Sequence, residues 1–92
     1  MDKKEAAAIA EAELGRLRTT GYTPLVERVD SSETHEVTPE SGTVYQVQTM
    51  VYWDGKGSKD LRVIVAVDDG GWSAYHPLTR DMILSPPDPP SP

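Results

Sequence analysis

An apolar run that ends in an acidic, glycine-rich turn constrains the fold of this chain more than any other stretch. Residues 61–67 read Leu-Arg-Val-Ile-Val-Ala-Val, and Asp-Asp-Gly-Gly follows before Trp72. β-Branched residues followed by Asp and Gly are typical of a strand that enters a tight hairpin turn. The sequence therefore predicts a β-hairpin over residues 61–77, with Val67 paired with Trp72.

This hairpin sorts its side chains into two faces, because paired residues of an antiparallel ladder lie on the same side of the sheet. One face carries Leu61, Val63, Val65, Val67, Trp72, Ala74 and His76. The other face carries Arg62, Ile64, Ala66, Ser73, Tyr75 and Pro77. The first set is the more apolar, and we expect it to face the core.

A preceding strand is predicted from Thr43 to Trp53, where most of the odd positions are apolar. The apolar residues at odd positions are Tyr45, Val47, Val51 and Trp53. They share a face with Leu61 and Val63 only if the numbers of paired residues sum to an even value. A five-residue loop over 54–58 satisfies this condition by pairing Val51 with Leu61, whereas a two-residue turn would turn Trp53 to the other face.

Residues 3–18 predict a helix, because most of them are strong helix formers. Asp2 is placed as the N-cap, with Glu5 in the capping-box position, and Gly21 is expected to end the helical region. The apolar stripe comprises Ala6, Ala10, Leu14 and Leu17, with Ile9 at its edge. Because half of this stripe is alanine, the helix can approach closely whatever it covers.

Glu13 falls near that apolar stripe and has two interpretations. It is either a boundary residue whose carboxylate reaches water, which is the favoured interpretation, or a carboxylate buried in the core or in a cleft.

Residues 22 to about 30 predict the first strand, with Pro24 compatible only with an edge strand. Residues 30–42 are polar and acidic and predict a long, solvated and mobile connection. An extension of the first strand through Val37 stays open.

These elements predict an α+β fold in which one N-terminal helix packs on one face of a four-stranded antiparallel meander, in the order 1-2-3-4. The order is favoured because Pro24 and Pro77 fall in the outer strands, whereas the inner strands contain no proline. Residues 1–84 form the single domain, and the Pro-rich residues 85–92 are expected to be a disordered tail. Residues 78–84 remain open as a helical turn or a fifth strand, and residues 82–84 remain open as a cover over the outer sheet face.

Charge and composition exclude several classes of partner. Fifteen acidic residues against nine basic ones give a net charge of −6, which argues against nucleic acid and anionic membranes. No apolar segment approaches the ~20 residues of a membrane span. The absence of cysteine and of a signal peptide favours a cytoplasmic protein, although a leader removed before this sequence begins stays open.

The sequence provides no set of residues that would support catalysis, cofactor binding or metal binding. His35 and His76 lie far apart, and three or four converging ligands are needed for a metal. The hairpin turn accounts for the pair Asp68-Asp69, and residues 54–58 lack the spacing of a phosphate-binding loop. We therefore expect a protein that is not an enzyme.

The sheet face that points away from the helix is the strongest candidate for function. Its candidate protein-binding residues are Gln48, Met50, Tyr52, Arg62, Ile64 and Tyr75. Tyr, Met and Arg are enriched where proteins recognise one another. We expect a monomer that binds another protein through this face. The alternative is a small-molecule sensor or enzyme with a cleft between helix and sheet, near Glu13, Tyr45 and His76.

Three segments resemble small bacterial helix-plus-sheet domains of the PepSY type: residues 5–10, residues 44–47 and residues 63–68. The PepSY pattern continues from Val-Asp into an Ala-x-x-Gly turn, where this chain has Asp69-Gly70-Gly71-Trp72. In size and layout the chain is also similar to small acidic immunity proteins, which would imply toxin neutralisation by binding. Neither resemblance assigns a functional residue.

Overall fold

The computed structural model describes residues 1–71 and 76–87. Helices α1 and α2 span Lys3–Thr20 and Tyr22–Val26, and strands β1 to β4 span Ser32–Val37, Tyr45–Trp53, Leu61–Asp68 and Leu78–Leu84. The strands form one antiparallel sheet in the order β1-β2-β3-β4. Both helices contribute to a single core on one face of that sheet. The predicted α+β class and strand order are confirmed.

Helix α1 begins and ends at the predicted caps. The Asp2 carboxylate accepts a hydrogen bond from the Glu5 amide at 3.0 Å, and Gly21 ends the helix with a φ of 89°. Only glycine adopts such a φ without strain, and its N–H closes the last turn on the Leu17 carbonyl. The predicted stripe, Ala6, Ala10, Leu14 and Leu17, is buried. Gly15 neither ends the helix nor marks a close approach, since nothing lies within 4 Å of the position its Cβ would take.

The predicted first strand is wrong, because residues 22–26 form the short helix α2. Pro24 lies in the first turn of α2, where a missing N–H has no intrahelical partner to lose. Leu25 is fully buried in the core under this helix. The actual edge strand, β1, occupies residues 32–37, inside the segment predicted as a loop. Its only apolar residue is Val37, so its sequence shows no apolar alternation that could identify it.

The predicted hairpin is also wrong in its second strand. Val67 pairs with Leu78 rather than with Trp72, and Trp72–Tyr75 lie outside the described residues. Residues 78–84 are the fourth strand itself, not a fifth strand, a helical turn or a cover over the outer face. This pairing places Leu78, Met82 and Leu84 on the helix side, where they pack against the core. His76 precedes β4 and is exposed, whereas it was predicted at the end of the core face.

The β2–β3 register differs from the prediction by two residues. Val51 pairs with Val63 and Trp53 with Leu61, so the connecting loop has seven residues instead of five. The loop closes through the Asp54 amide, which donates to the Asp60 carbonyl at 2.9 Å. The side chains of β2 and β3 still lie on the predicted faces, because a shift of two residues leaves every side chain on its face.

The core follows the predicted helix-facing residues with one exception. The sheet residues of the hydrophobic core are Tyr45, Val47, Val51, Leu61, Val63, Val65 and Val67. Trp53 was predicted with them, but it is 43% exposed because it is the last residue of β2, at the rim of the core. Trp72, also predicted there, lies outside the described residues.

The structure describes only the first three residues of the predicted C-terminal tail. Residues 85–87 are exposed and follow β4 without regular secondary structure, and the rest of the predicted tail, 88–92, lies outside the described residues.

Among the described helices, none has the length and apolar character needed to cross a bilayer.

The buried position of Leu25 predicts that α2 is part of the cooperative core. Leu25→Ala should lower the free energy of unfolding by about 2–5 kcal/mol, because it leaves a cavity that the neighbours only partly fill. The exposed neighbour Thr23 provides the control, and Thr23→Ala should change it by less than ~0.5 kcal/mol. Urea unfolding followed by circular dichroism measures both, and equal effects of the two substitutions would show that α2 does not pack on the sheet.

Candidate protein-binding face

The face of the sheet opposite both helices is referred to below as the outer face. Side chains alternate between faces along a strand, so the outer face takes the even-numbered residues of β1, β2 and β3 and the odd-numbered residues of β4. Across the strands they form rows: Glu36, Gln46 and Asp68; then Thr34, Gln48, Ala66 and Thr79; then Ser32, Met50, Ile64 and Asp81; then Tyr52, Arg62 and Ile83.

The apolar part of the outer face lies in two neighbouring rows. Met50 and Ile64 are paired across β2 and β3, and both are half-buried by their neighbours. In the next row Tyr52 is 40% exposed and Ile83 is 44% exposed. Four apolar side chains are thus contiguous on a sheet face that neither helix covers.

Arg62 stands between Tyr52 and Ile83 and is held by two carboxylates. Its Nε donates to Asp54 Oδ1 at 2.9 Å, its Nη2 lies 2.8 Å from the same oxygen, and its Nη1 contacts Asp81 Oδ2. The hydrogen bond to Asp54 is the main cause that raises the pKa of Arg62 above its usual value. The guanidinium is therefore fixed in place, and its charge is more than neutralised by its two partners.

Side-chain hydrogen bonds order the polar half of the outer face. The Gln48 amide donates to Ser32 Oγ at 2.8 Å, and the Gln46 amide donates to Glu36 Oε1 at 3.1 Å. Both bonds join β1 to β2, so the edge strand is attached on this face by side chains as well as by its backbone. A partner would meet this half of the face in a defined conformation.

The structure places five of the six predicted binding residues on this one face, and the sixth, Tyr75, lies outside the described residues. The register difference of two residues changes both predicted pairs on this face: Met50 pairs with Ile64 rather than with Arg62, and Gln48 pairs with Ala66 rather than with Ile64.

Sequence reasoning missed three residues of this face: Asp54, Asp81 and Ile83. Leu78, Met82 and Leu84 fall on even positions, interrupted by Arg80. This shared parity is the signal that could have identified the run 78–84 as a strand and placed Asp81 and Ile83 on its other face. No pattern in the sequence indicates that Asp54, in a loop, would reach Arg62.

A second polar cluster lies on the helix side of the sheet, around Glu13. This carboxylate is buried to 8% exposure, so the interpretation as a boundary residue is wrong. It accepts hydrogen bonds from Arg16 Nε at 3.2 Å and Nη2 at 2.5 Å, and from the Thr49 hydroxyl at 3.4 Å. His35 Nε2 of the edge strand lies 3.8 Å from it. The hydrogen bond from Arg16 is the main cause that lowers the pKa of Glu13, against the opposing effect of burial.

Tyr45 belongs to a separate network nearer the start of α1. Its hydroxyl and that of Ser41 both donate to Glu5 Oε1 at 2.8 Å. Burial, followed by this hydrogen bond, raises the pKa of Tyr45 to about 12. Glu5 lies about 12 Å along the helix from Glu13, at 1.5 Å per residue.

The predicted cleft residues are therefore not brought together. Glu13 and Tyr45 bond to different parts of α1, while the exposed His76 lines an open groove of about 540 Å³ in which neither of them takes part. That groove is bounded by the first turn of α1 and the start of β4. No group of three potential metal ligands occurs within residues 1–71 and 76–87.

Comparison of the chain with protein-family models, with curated proteins and with solved structures finds no match. Function therefore has to be argued from the arrangement of the residues themselves.

Replacement of Glu13 tests whether its buried network stabilises the fold. Because the pKa of Glu13 is lower in the folded state, its stabilising contribution is present above pH ~4.5 and is lost as the pH falls through the folded pKa. Glu13→Gln should therefore lower the free energy of unfolding at pH 7, and the gap from wild type should narrow as the pH falls below ~4.5.

Denaturant unfolding at several pH values between 3 and 7 measures this gap. Glu11→Gln, at an exposed position of the same helix, controls for the loss of one helical carboxylate. The stabilising role of the Glu13 network would be contradicted if the difference in free energy of unfolding stays constant over this pH range, or if Glu11→Gln shows an equally large difference.

Proposed function

We propose that this protein is a non-catalytic protein-binding module that uses its outer sheet face. The observation that carries the proposal is the apolar cluster of Met50, Ile64, Tyr52 and Ile83 on a face that neither of the described helices covers. A sheet that packs helices on one side usually leaves polar residues on the other. Apolar side chains that are contiguous there favour a surface that another molecule covers.

The composition of the cluster supports recognition rather than general exposure. It contains a tyrosine and a methionine and adjoins Arg62, and all three residue types are enriched at protein interfaces. Arg62 is fixed between Asp54 and Asp81, so little side-chain entropy would be lost there on binding. The apolar pair Met50 and Ile64 lies next to this fixed centre.

The sheet beneath the cluster provides a rigid platform. Met50 and Ile64 belong to the two inner strands, whose other face carries fully buried residues of the core. Binding residues on central strands keep their spacing better than residues on loops. The cluster is thus positioned by the most constrained part of the fold.

Truncation of the two exposed apolar residues of the cluster should weaken partner binding without unfolding the protein. Each side chain at the centre of an interface contributes roughly 1 kcal/mol or more, so Tyr52→Ala/Ile83→Ala should raise the Kd for a captured partner about 30-fold. Partners are recovered on immobilised wild-type protein, and the Kd of each is then measured by calorimetry with purified components.

Trp53→Ala provides a matched control. Trp53 is adjacent to Tyr52 and is exposed to a similar extent, at 43% against 40%, but it points to the helix side of the sheet. It should bind the partner as wild type does. Recovery of the same partners with the same Kd by wild type and by the double variant would refute the proposal.

A further inference from the structure

The described part of the outer face is acidic. Within residues 1–71 and 76–87, four carboxylates lie on it or at its margin, those of Glu36, Asp54, Asp68 and Asp81, against the cation Arg62. Four negative charges and one positive charge leave −3 on this part of the face, and the whole chain carries −6. An apolar cluster in so acidic a setting selects its partner by charge as well as by shape.

The negative charge is not evenly distributed over the face. Asp54 and Asp81 are engaged with Arg62, next to the apolar cluster. Glu36 and Asp68, in the row at the other end, make no ion pair within residues 1–71 and 76–87. The hydrogen bonds that they accept within these residues come from neutral donors, the Gln46 amide and the Gly70 N–H. These two carboxylates are therefore available to a cation from outside.

The sheet geometry fixes the distances between these features. Glu36 and Asp68 lie on either side of Gln46, two strand spacings or about 10 Å apart. The row of Gln46 and the row of Met50 are four residue steps apart along β2, which corresponds to about 14 Å. A bound segment therefore meets apolar side chains at one end of the face and two unpaired carboxylates at the other.

From this arrangement we propose that the outer face binds a cationic amphipathic segment of another protein. This proposal rests on the proposed function and names the partner's chemistry. The apolar residues of the segment cover Met50, Ile64, Tyr52 and Ile83, and its Lys or Arg side chains reach Glu36 and Asp68. In a helical segment, about 14 Å corresponds to roughly nine residues, or two to three turns.

The same charges disfavour the other occupants of such a face. A second copy placed face to face would bring −3 against −3 at close range, with Glu36 and Asp68 of both copies in one interface. An anionic membrane surface would be repelled in the same way.

A pair of designed peptides tests the proposal directly. The probes are an 18-residue helical peptide with leucine on one face and lysine on the other, and the same peptide with glutamate in place of lysine. Amide chemical shifts of the ¹⁵N-labelled protein are recorded during titration with each. The lysine peptide is expected to shift Gln48, Ile64 and Ala66 on the outer face, and the glutamate peptide is expected to leave them unchanged.

Two double variants that change the net charge by the same amount distinguish two effects on peptide binding: that of the outer-face carboxylates and that of the charge of the whole chain. Glu36→Gln/Asp68→Asn neutralises the two unpaired carboxylates while retaining an acceptor oxygen at each position. It should weaken binding of the lysine peptide about tenfold. Glu11→Gln/Glu27→Gln removes two exposed carboxylates away from the outer face and should change the Kd less than about twofold. Dispersed amide spectra of both variants establish that they are folded.

Each remaining outcome overturns a stated part of the proposal. Equal weakening by both variants, or shifts that fall on helix α1, would show attraction to net charge only. Equal binding of both peptides at the outer face would refute a cationic partner and leave the binding function intact. Outer-face shifts that depend on protein concentration alone would identify a second copy as the occupant. If neither peptide perturbs the outer face and Tyr52→Ala/Ile83→Ala captures every wild-type partner, both proposals fail.

Discussion

The packing of α1 against β3 and β4 is the interaction on which the rest of the structure depends. Its buried stripe contains two alanines, Ala6 and Ala10, and two leucines, Leu14 and Leu17. The small residues allow the helix axis to lie close to the valine-rich β3, while the leucines fill the space toward the end of the helix. Because the described residues form only one long helix, this packing can cover only one face of the sheet.

The two outer parts of the sheet are attached in different ways. β4 continues the core with Leu78, Met82 and Leu84, so burial of apolar surface holds it. β1 has almost no apolar surface, and polar contacts hold it: on the helix side His35 lies near the buried Glu13, and on the outer face Ser32 and Glu36 accept hydrogen bonds from β2. A buried carboxylate is tolerated at this position because Arg16 and Thr49 satisfy it.

The sequence predicted those features that depend on periodicity and failed where a feature depends on partners. The alternation in β2 and β3 places every core side chain on its correct face even though the register is off by two residues. β1 could not be recognised, because an edge strand held by polar contacts leaves no apolar pattern. Residues 22–26 were mistaken for a strand because Pro24 is compatible with both an edge strand and a first helical turn. The five described residues of the candidate face follow from the alternation of side chains along β2 and β3 alone. The fixed position of Arg62 could not be predicted in this way, because it depends on the loop residue Asp54 and on Asp81 of β4.

The negative charge of the outer face has two physical consequences that operate together. An uncovered sheet face with apolar side chains is prone to stack on another copy, and carboxylates in the same rows oppose that stacking through like-charge repulsion. The same carboxylates lower the energy of an approaching cationic surface, and those without a protein cation contribute most to it. Asp54 and Asp81 form ion pairs with Arg62, which neutralises much of the charge that they would present to a partner. Glu36 and Asp68 differ from them in this respect. In the proposed interaction, the discrimination between a second copy and a basic partner is therefore concentrated at these two residues, in an outer-face row whose described members are all polar.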